Sequence, residues 1–236
     1  MRSVIIIPAL NEEAAIGGVV RAVHSKADRV IVVDNGSTDE TAACARDAGA
    51  DVIHVARPGY GRACLAGVCA ADGADLLIFM DGDGADDPAD LDALTAPIRN
   101  GQADFVVGSR RLGQPEKGAL TLPQRFGNSL ATQLMRLFWN GRFTDLGPFR
   151  AIRHAAYLSL QMQAPTYGWT VEMQVRALKQ GLRCAEVPVA YRRRIGVSKI
   201  SGTFKGVVLA GWFILGTIFK EALLPNRKHK PRRIAR

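Results

Sequence analysis

Two aspartates one residue apart follow a short apolar run in the middle of the chain. The run is residues 76–80, and Asp81-Gly82-Asp83-Gly84 comes directly after it. An apolar run that ends at glycines and aspartates predicts a buried strand, whose end places both carboxylates in a crevice beside a sheet. Carboxylate oxygens are ligands that Mg²⁺ and Mn²⁺ prefer, and substrate phosphates complete such sites. The pattern therefore predicts a site for Mg²⁺ or Mn²⁺, with an acidic turn before a helix as the plainer alternative.

The elements that must position these aspartates alternate along the chain. Short apolar or β-branched runs predict strands at residues 4–7, 30–33, 52–55, 76–80 and 105–107. Between them, helical spacing or alanine-rich composition predicts helices around residues 16–23, 38–48 and 62–71. Such alternation predicts an α/β fold, a mostly parallel sheet flanked by helices, with ligands bound beyond the carboxyl ends of its strands.

Polar segments follow the first and second predicted strands as well. Asn11 and Glu12 follow the first strand, and Asp34 and Asn35 follow the second. If the ligand is a nucleotide, Asp34 or Asn35 is suited to hydrogen-bond its base or ribose. The glycine-bearing loop that includes Gly61 opens a helix, so it is either a phosphate-binding loop or a generic turn. No G-x-G-x-x-G follows the first strand and no G-x-x-x-x-G-K-[ST] occurs, which argues against dinucleotide and P-loop sites.

The net charge of +9 is concentrated at one end of the sequence. From Lys220 to Arg236 the net charge is +6, which leaves +3 for residues 1–219. This distribution argues against nucleic-acid binding by the main part of the chain. Residues 204–224 precede the tail, and their uncharged part is shorter than the roughly 20 residues that span a bilayer.

We therefore predict an interfacial amphipathic helix at 204–224 and a basic tail at 225–236 that meets an anionic membrane surface. Trp212, Phe213 and Phe219 would enter the headgroup boundary. A buried helix followed by a disordered tail is the alternative, and a tilted single span is a further one. The first eleven residues lack the length and flanks of a secretory signal, so we expect a cytosolic protein at the membrane face, peripheral or monotopic.

Six segments, in order over residues 3–203, resemble the family 2 glycosyltransferases of the GT-A fold. They are VIIIPALNEE, VIVVDNGSTD, FMDGDGADDP, VVGSRR, TDLGPFRAIR and EVPVAYRRRIGVSK. Within that family they resemble the polyprenyl-phosphate branch typified by dolichol-phosphate mannosyltransferases. The resemblance implies a GT-A glycosyltransferase domain at residues 1–203.

The resemblance also implies roles for individual residues. It makes Asp81 and Asp83 the metal ligands that hold the diphosphate of a UDP- or GDP-linked sugar. The donor-binding residues that it implies are Pro8, Ala9, Asn11, Glu12, Asp34, Asn35, Gly61, Asp81, Asp83, Arg194 and Lys199. Arg110, Arg125 and Ser129 are the implied partners of an acceptor phosphate, since guanidinium groups and a hydroxyl suit a phosphate dianion.

The reaction that the resemblance implies is an inverting transfer of a sugar to a polyprenyl phosphate, undecaprenyl or dolichyl, with Asp83 and Arg110 in catalytic roles. A lipid phosphate is already ionised, so it needs no general base. If the acceptor were a hydroxyl group instead, Glu172 or Asp145 would be the candidate base. A non-catalytic, nucleotide-binding membrane scaffold is the rival from another class. Lipid flipping would belong to a separate membrane protein, which makes a membrane partner plausible.

Three departures from the family pattern distinguish this chain. Asn35 replaces the second aspartate of D-D-G-S, and Ala85 replaces the glutamine of D-x-D-x-Q. The segment Leu146-Gly147-Pro148-Phe149-Arg150 replaces T-S-G-F-R. These changes predict a sister group of the mannosyltransferases with a different donor or acceptor.

Overall fold

A computed structural model describes residues 1–196 and 204–224 of the chain. Seven strands form one sheet in the order β3-β2-β1-β4-β6-β5-β7. The strands are β1 (Ser3–Ala9), β2 (Arg29–Asp34), β3 (Asp51–His54), β4 (Leu76–Phe79), β5 (Phe105–Ser109), β6 (Arg150–Arg153) and β7 (Cys184–Pro188). Only β6 runs antiparallel to its neighbours, so the expectation of a mostly parallel α/β sheet is confirmed.

Helices cover both faces of this sheet. They are α1 (Glu13–His24), α2 (Thr41–Asp47), α3 (Tyr60–Ala70), α4 (Leu91–Arg99), α5 (Leu122–Trp139), α6 (His154–Leu160), α7 (Trp169–Gln180) and α8 (Phe204–Leu223). Buried residues of α1, α2 and α4 pack on one face, and those of α3, α5, α6 and α7 pack on the other. Along β1, Ile5 and Ile7 face the first group while Val4 and Ile6 face the second, which is why the strand is apolar without alternation.

The five predicted strands are confirmed to within two residues, whereas β6 and β7 were not predicted. β6 begins and ends with arginine, and Arg150 is wholly buried. Its guanidinium donates to the carbonyl oxygens of Leu146 at 3.1 Å and Thr170 at 2.9 Å, as well as to Gly147. Burial lowers the pKa of Arg150 to about 10. An apolar-run criterion cannot find a strand that is built around a buried cation satisfied by carbonyl groups.

A helix is present at the predicted 204–224 segment as α8, which packs against α5 and α7, and its position at a membrane surface stays a prediction. Its Glu221 is buried and pairs with Arg176 and Lys179 of α7, each at 2.9 Å. None of the helices in the described ranges combines the length and hydropathy needed to cross a membrane. The predicted basic tail at 225–236 lies outside the described residues.

Candidate active site

The carboxyl ends of β1, β2 and β4 open into a cavity of about 470 Å³, which we call the carboxylate cavity. These strands are adjacent and parallel, so their last residues reach the same edge of the sheet. Predicted site residues that line it are Pro8, Ala9, Glu12, Asn35, Asp81, Asp83 and Arg194. The structure thus brings together residues that lie far apart in the sequence.

Three aspartates, Asp81, Asp83 and Asp86, lie close together at this cavity. Asp81 accepts a hydrogen bond from the Tyr60 hydroxyl at 3.2 Å, and its backbone N–H donates to Asp86 at 3.1 Å. Burial raises the pKa of Asp81 well above its usual range, and the charges of Asp83 and Asp86 raise it further. Burial also raises the pKa of Asp86 to about 7, and its Oδ1 atom has no hydrogen-bond partner among the described residues. A bound cation stabilises such a group of carboxylates, so the donor set fits a divalent metal.

Asp81 and Asp83 line the cavity, whereas Asp86 lies behind it. Within residues 1–196 and 204–224, no three or more His, Cys, Asp or Glu side chains are arranged to hold a metal ion. Two carboxylates suit Mg²⁺ or Mn²⁺, because these ions keep the remaining positions for water or substrate phosphates. Asp86 supports the backbone of Asp81, a role that its place in an acidic turn did not reveal.

Arg194 contacts two acidic side chains of the carboxylate cavity. Its Nη2 lies 2.6 Å from Glu12 Oε1, and its Nη1 lies 3.4 Å from Asp83 Oδ2. The backbone beside it is also fixed, since the N–H of Ile195 donates to the carbonyl oxygen of Asp83 at 2.9 Å. The basic segment around Arg194 therefore lies along the aspartate loop. Lys199, the other basic residue predicted here, lies outside the described residues.

Asp34, predicted to contact the donor, does not line the carboxylate cavity, so that contact stays a prediction. One of its oxygens accepts from the backbone N–H of Ser37 at 3.0 Å, and the other bonds to Nδ1 of His54 at 2.8 Å. Burial raises the pKa of Asp34, but these hydrogen bonds outweigh burial and lower it overall. Both carboxylate oxygens are thus used to shape the loop after β2.

Asn11 and Gly61 are likewise absent from the lining of this cavity. The Oδ1 atom of Asn11 accepts from the backbone N–H of Thr38 at 2.8 Å, which ties the loops after β1 and β2 together. A Cβ atom at Gly61 would lie 2.0 Å from the carbonyl oxygen of Ala164. Glycine is therefore required there by the packing of α3 against a neighbouring loop. For both residues, direct contact with the donor stays a prediction.

An ion pair of low exposure follows β5 at the same edge of the sheet. Arg110 donates through Nε to Asp145 Oδ2 and through Nη2 to Asp145 Oδ1, both at 2.7 Å. The guanidinium lies over the ring of Tyr191, 5.0 Å from its centroid. Burial raises the pKa of Asp145, but the hydrogen bonds and charge of Arg110 outweigh burial and lower it overall. Arg110 is thus held in one orientation by its Nε and Nη2 atoms.

Arg110 opens onto a second cavity, of about 670 Å³, which we call the arginine cavity. All three residues predicted to contact the acceptor phosphate line it, namely Arg110, Arg125 and Ser129. Arg111 and Lys117 add positive charge to the same lining. The structure therefore places the predicted phosphate partners around one basic space.

A central cavity of about 290 Å³ lies between the other two. Asp81, Asp83 and Arg194 line both this cavity and the carboxylate cavity, while Arg110 and Asn128 line both this cavity and the arginine cavity. Its outer walls are Gly127 of α5 and Gly211 and Ile214 of α8, among others. A ligand in the central cavity would meet Asp81 and Asp83 on one side and the ion pair of Arg110 with Asp145 on the other.

Glu172 is not brought together with these residues, and its role as a base stays a prediction. It is buried in α7, where its carboxylate accepts from the backbone N–H groups of Gln163 and Ala164 and pairs with Arg176 at 2.8 Å. It lines none of the three cavities described above. Glu172 instead fixes the loop that packs against Gly61.

Two supporting residues were not predicted. Glu186 of β7 accepts from the backbone N–H of Thr144 at 2.9 Å and from that of Asp145 at 3.1 Å. Asn128 of α5 accepts from the backbone N–H of Leu146 at 2.7 Å. Both hold the segment that carries Asp145. They therefore orient Arg110 indirectly, through its ion pair with Asp145. Asn128 stands directly before Ser129 in the sequence, which is the signal that could have found it.

The sequence of the chain is similar to those of known glycosyltransferases. A family model described as "Glycosyl transferase family 2" matches residues 4–160. The chain is 38% identical over 209 residues to an uncharacterized glycosyltransferase of Mycobacterium tuberculosis, covering 87% of this chain and 93% of that protein. It is 31% identical to the undecaprenyl-phosphate mannosyltransferase of Micrococcus luteus, covering 87% and 90% of the two chains. It is 32% identical to the dolichyl-phosphate hexose transferase of Haloferax volcanii, covering 93% and 95%.

A solved structure shares the fold. Glucosyl-3-phosphoglycerate synthase from Mycobacterium tuberculosis, in complex with Mn²⁺, UDP and phosphoglyceric acid, superposes with a TM-score of 0.77 at 23% identity. The match covers 95% of this chain and 79% of the synthase chain. The expected GT-A architecture is thereby confirmed.

Proposed function

The chain belongs to glycosyl transferase family 2, and from that membership we propose that it transfers a hexose from a nucleotide sugar to a polyprenyl phosphate. The observation that carries this proposal is the shared central cavity, which joins a carboxylate cavity to an arginine cavity. A nucleoside diphosphate needs a divalent cation, and a phosphate acceptor needs cationic partners. The two flanking cavities offer these two chemistries separately, and the sugar would pass between them.

On the donor side, Asp81 and Asp83 would hold Mg²⁺ or Mn²⁺. The metal supplies Lewis-acid stabilisation of the departing nucleoside diphosphate. Glu12 and Asn35 line the same cavity, and in this proposal they would contact the ribose or base. Asn35 Oδ1 already accepts from the backbone N–H of Gly59 at 2.7 Å, so its Nδ2 is the group offered to a ligand.

On the acceptor side, Arg110, Arg125 and Ser129 would bind the phosphate. Arg110 is preorganised for this by its fork on Asp145, and its remaining N–H groups can meet a phosphate oxygen. Both side chains considered as a base for a hydroxyl acceptor, Asp145 and Glu172, are paired with arginine. This pairing favours an acceptor that is already ionised, because a carboxylate held in an ion pair with arginine is a poor proton acceptor.

The chemical step we propose is a direct displacement. A phosphate oxygen held by Arg110 attacks the anomeric carbon, the bond from that carbon to the diphosphate breaks, and the electron pair leaves with the nucleoside diphosphate. One displacement at one carbon inverts its configuration. Arg194 faces the same space and is placed to stabilise negative charge on the leaving group.

The lipid chain of the acceptor would leave the central cavity between α5 and α8. Gly127 and Gly211 line that cavity, and a Cβ atom at either position would meet nothing within 4 Å. Apolar side chains are exposed on the same two helices, with Phe126 71% and Trp212 76% exposed. We propose that these helices rest on the cytoplasmic face of the membrane, where the anionic leaflet would attract the basic residues nearby.

The test is a donor panel of UDP- and GDP-linked hexoses with Mg²⁺ or Mn²⁺, assayed with undecaprenyl phosphate in detergent. Undecaprenol, which lacks the phosphate, is the matched acceptor control. We expect one donor to release its nucleoside diphosphate only with the phosphorylated lipid, and the product to have the inverted anomeric configuration. Equal release with undecaprenol would overturn the phosphate acceptor, and release with no lipid would point to a water-soluble acceptor or to hydrolysis.

A further inference from the structure

The carboxylate cavity contains one basic side chain among the described residues that line it. Its acidic lining residues are Glu12, Asp81 and Asp83, and the basic one is Arg194. Arg110, which lines the adjoining central cavity, already has its counter-charge in Asp145. Among the described lining residues, Arg194 is therefore the only side chain whose positive charge offsets part of the negative charge of the carboxylate cavity.

The Arg194 guanidinium also occupies space that a metal on Asp83 would need. Its Nη1 lies 3.4 Å from Asp83 Oδ2, and its Nη2 lies 2.6 Å from Glu12 Oε1. A divalent ion bound to the same carboxylate would stand within a few ångströms of a full positive charge. At that separation two cations repel each other strongly in a partly buried site.

We propose that the Arg194 guanidinium holds the cation position at Asp83 until a nucleoside diphosphate binds, so that metal and nucleotide enter together. The negatively charged oxygens of the diphosphate can bind the guanidinium in place of Asp83. The metal can then bind the Asp83 carboxylate. Metal alone offers Arg194 no new partner and must displace it at a cost. This inference rests on the proposed function, from which it takes the metal and the diphosphate.

The local structure permits this exchange with a movement of the side chain alone. The backbone is held by hydrogen bonds from the N–H of Ile195 to the carbonyl oxygen of Asp83 at 2.9 Å and from the N–H of Arg192 to that of Ala85 at 2.8 Å. The Nε atom of Arg194 is buried without a hydrogen-bond partner among the described residues, so its departure breaks no bond from Nε. Among the described residues, the guanidinium thus has ion-pair contacts to Glu12 and Asp83 to give up.

The test is to measure Mn²⁺ binding to the wild type and to Arg194→Gln. The concentration of free Mn²⁺ is read from its electron paramagnetic resonance signal. Each protein is titrated without nucleotide and with saturating UDP or GDP, and corrected for Mn²⁺–nucleotide association in protein-free solution. In the wild type we expect weak binding of Mn²⁺ alone and binding at least about tenfold tighter with nucleotide. In Arg194→Gln, Mn²⁺ alone binds about tenfold tighter than in the wild type, and the gain from nucleotide shrinks accordingly.

Arg193→Gln is the matched control, because it removes the same charge one residue away. The Arg193 guanidinium donates to the carbonyl oxygen of Lys117 at 2.7 Å and does not line the carboxylate cavity. We expect this variant to bind Mn²⁺ as the wild type does. A second readout is the melting temperature, which Mn²⁺ alone should raise more in Arg194→Gln than in either other protein.

The outcomes separate this inference from the proposed function. Unchanged or weaker Mn²⁺ binding in Arg194→Gln overturns the inference alone, provided that the wild type binds Mn²⁺ with nucleotide. Equal tightening in Arg193→Gln also overturns it, since general charge would then be the cause. If Mn²⁺ binds to no form under any condition, both the inference and the metal site fall. If Arg194→Gln behaves as expected but no lipid is glycosylated, the inference stands and the acceptor assignment falls.

Discussion

The carboxylate cavity and the arginine cavity flank the same central cavity, yet buried charge is compensated in opposite ways in the two. Burial and like charges raise the pKa of Asp81, whereas the Arg110 fork outweighs burial and lowers the pKa of Asp145. The first arrangement leaves negative charge for an incoming cation to neutralise. In the second, the Asp145 carboxylate orients the Arg110 guanidinium. In the proposed function, aspartate thus contributes to a metal site in one region and to an anion site in the other.

The largest expected effect is on the metal side. Asp83→Asn keeps the size of the side chain but removes a charge that faces the cavity, so we expect sugar transfer to fall by about 10²–10³-fold or more. The measurement is the initial rate of nucleoside diphosphate release with saturating acceptor. Asp87→Asn is the control, because Asp87 lies in the same acidic run without lining the cavity, and asparagine can still cap the turn that follows. Equal losses in both variants would contradict a specific role for Asp83.

The next effect concerns stability on the arginine side. Arg110→Gln leaves Asp145, which is 1% exposed, without its counter-charge, so we expect the free energy of unfolding to fall by about 3–5 kcal/mol. The double variant Arg110→Gln/Asp145→Asn should recover most of this loss, since no buried charge remains. Urea unfolding at neutral pH provides both values. A double variant as unstable as Arg110→Gln would show that the pair is not the cause.

The two cavities should also give opposite pH dependence in the metal-free protein. Folded Asp86 keeps its proton up to a pKa of about 7 while the unfolded chain releases it near 3.8, so the free energy of unfolding should fall as pH rises through this range. The pKa of Asp145 is lowered on folding, so its contribution is present above about pH 4 and lost as pH falls below that value. Thermal unfolding across pH should flatten on the upper side in Asp86→Asn and on the lower side in Asp145→Asn. Identical profiles in the two variants would refute the comparison.

The smallest effect tests the passage between the cavities. Gly127→Leu introduces a side chain where a Cβ meets nothing within 4 Å, so the fold should be kept and α5 slightly stabilised. We expect kcat/KM for polyprenyl phosphate to fall by about tenfold, with the KM for the nucleotide sugar unchanged. Gly216→Leu, also in open space but lining a different cavity, is the control. An unchanged acceptor dependence in Gly127→Leu would place the lipid elsewhere.

Much of the sheet could be predicted because parallel strands buried on both faces leave apolar runs in the sequence. The strand-end position of Asp81, Asp83 and Asn35 followed directly, since the ends of neighbouring parallel strands converge. β6 could not be found in this way, because its buried Arg150 is satisfied by carbonyl groups that are distant in sequence. A charged residue in a core leaves no signal in a hydropathy pattern.

The site was predicted less completely than the fold, and each difference has a physical cause. Asp34 and Glu172 have the residue types that a site requires, but their oxygens are already used by local hydrogen bonds and ion pairs. Asp86 gains its importance from burial beside Asp81, which an acidic turn does not reveal. The pairing of Arg110 with Asp145 joins residues 35 positions apart, so only the folded chain shows it.

The central claim is that the carboxylate cavity takes the donor and the arginine cavity takes the acceptor phosphate. Its most direct test is the two-substrate kinetics of Arg125→Gln, because Arg125 is exposed and its loss should leave the fold intact. The account predicts that the KM for polyprenyl phosphate rises by about tenfold while the KM for the nucleotide sugar stays at the wild-type value. A rise in the KM for the nucleotide sugar, or no change in either constant, would contradict it.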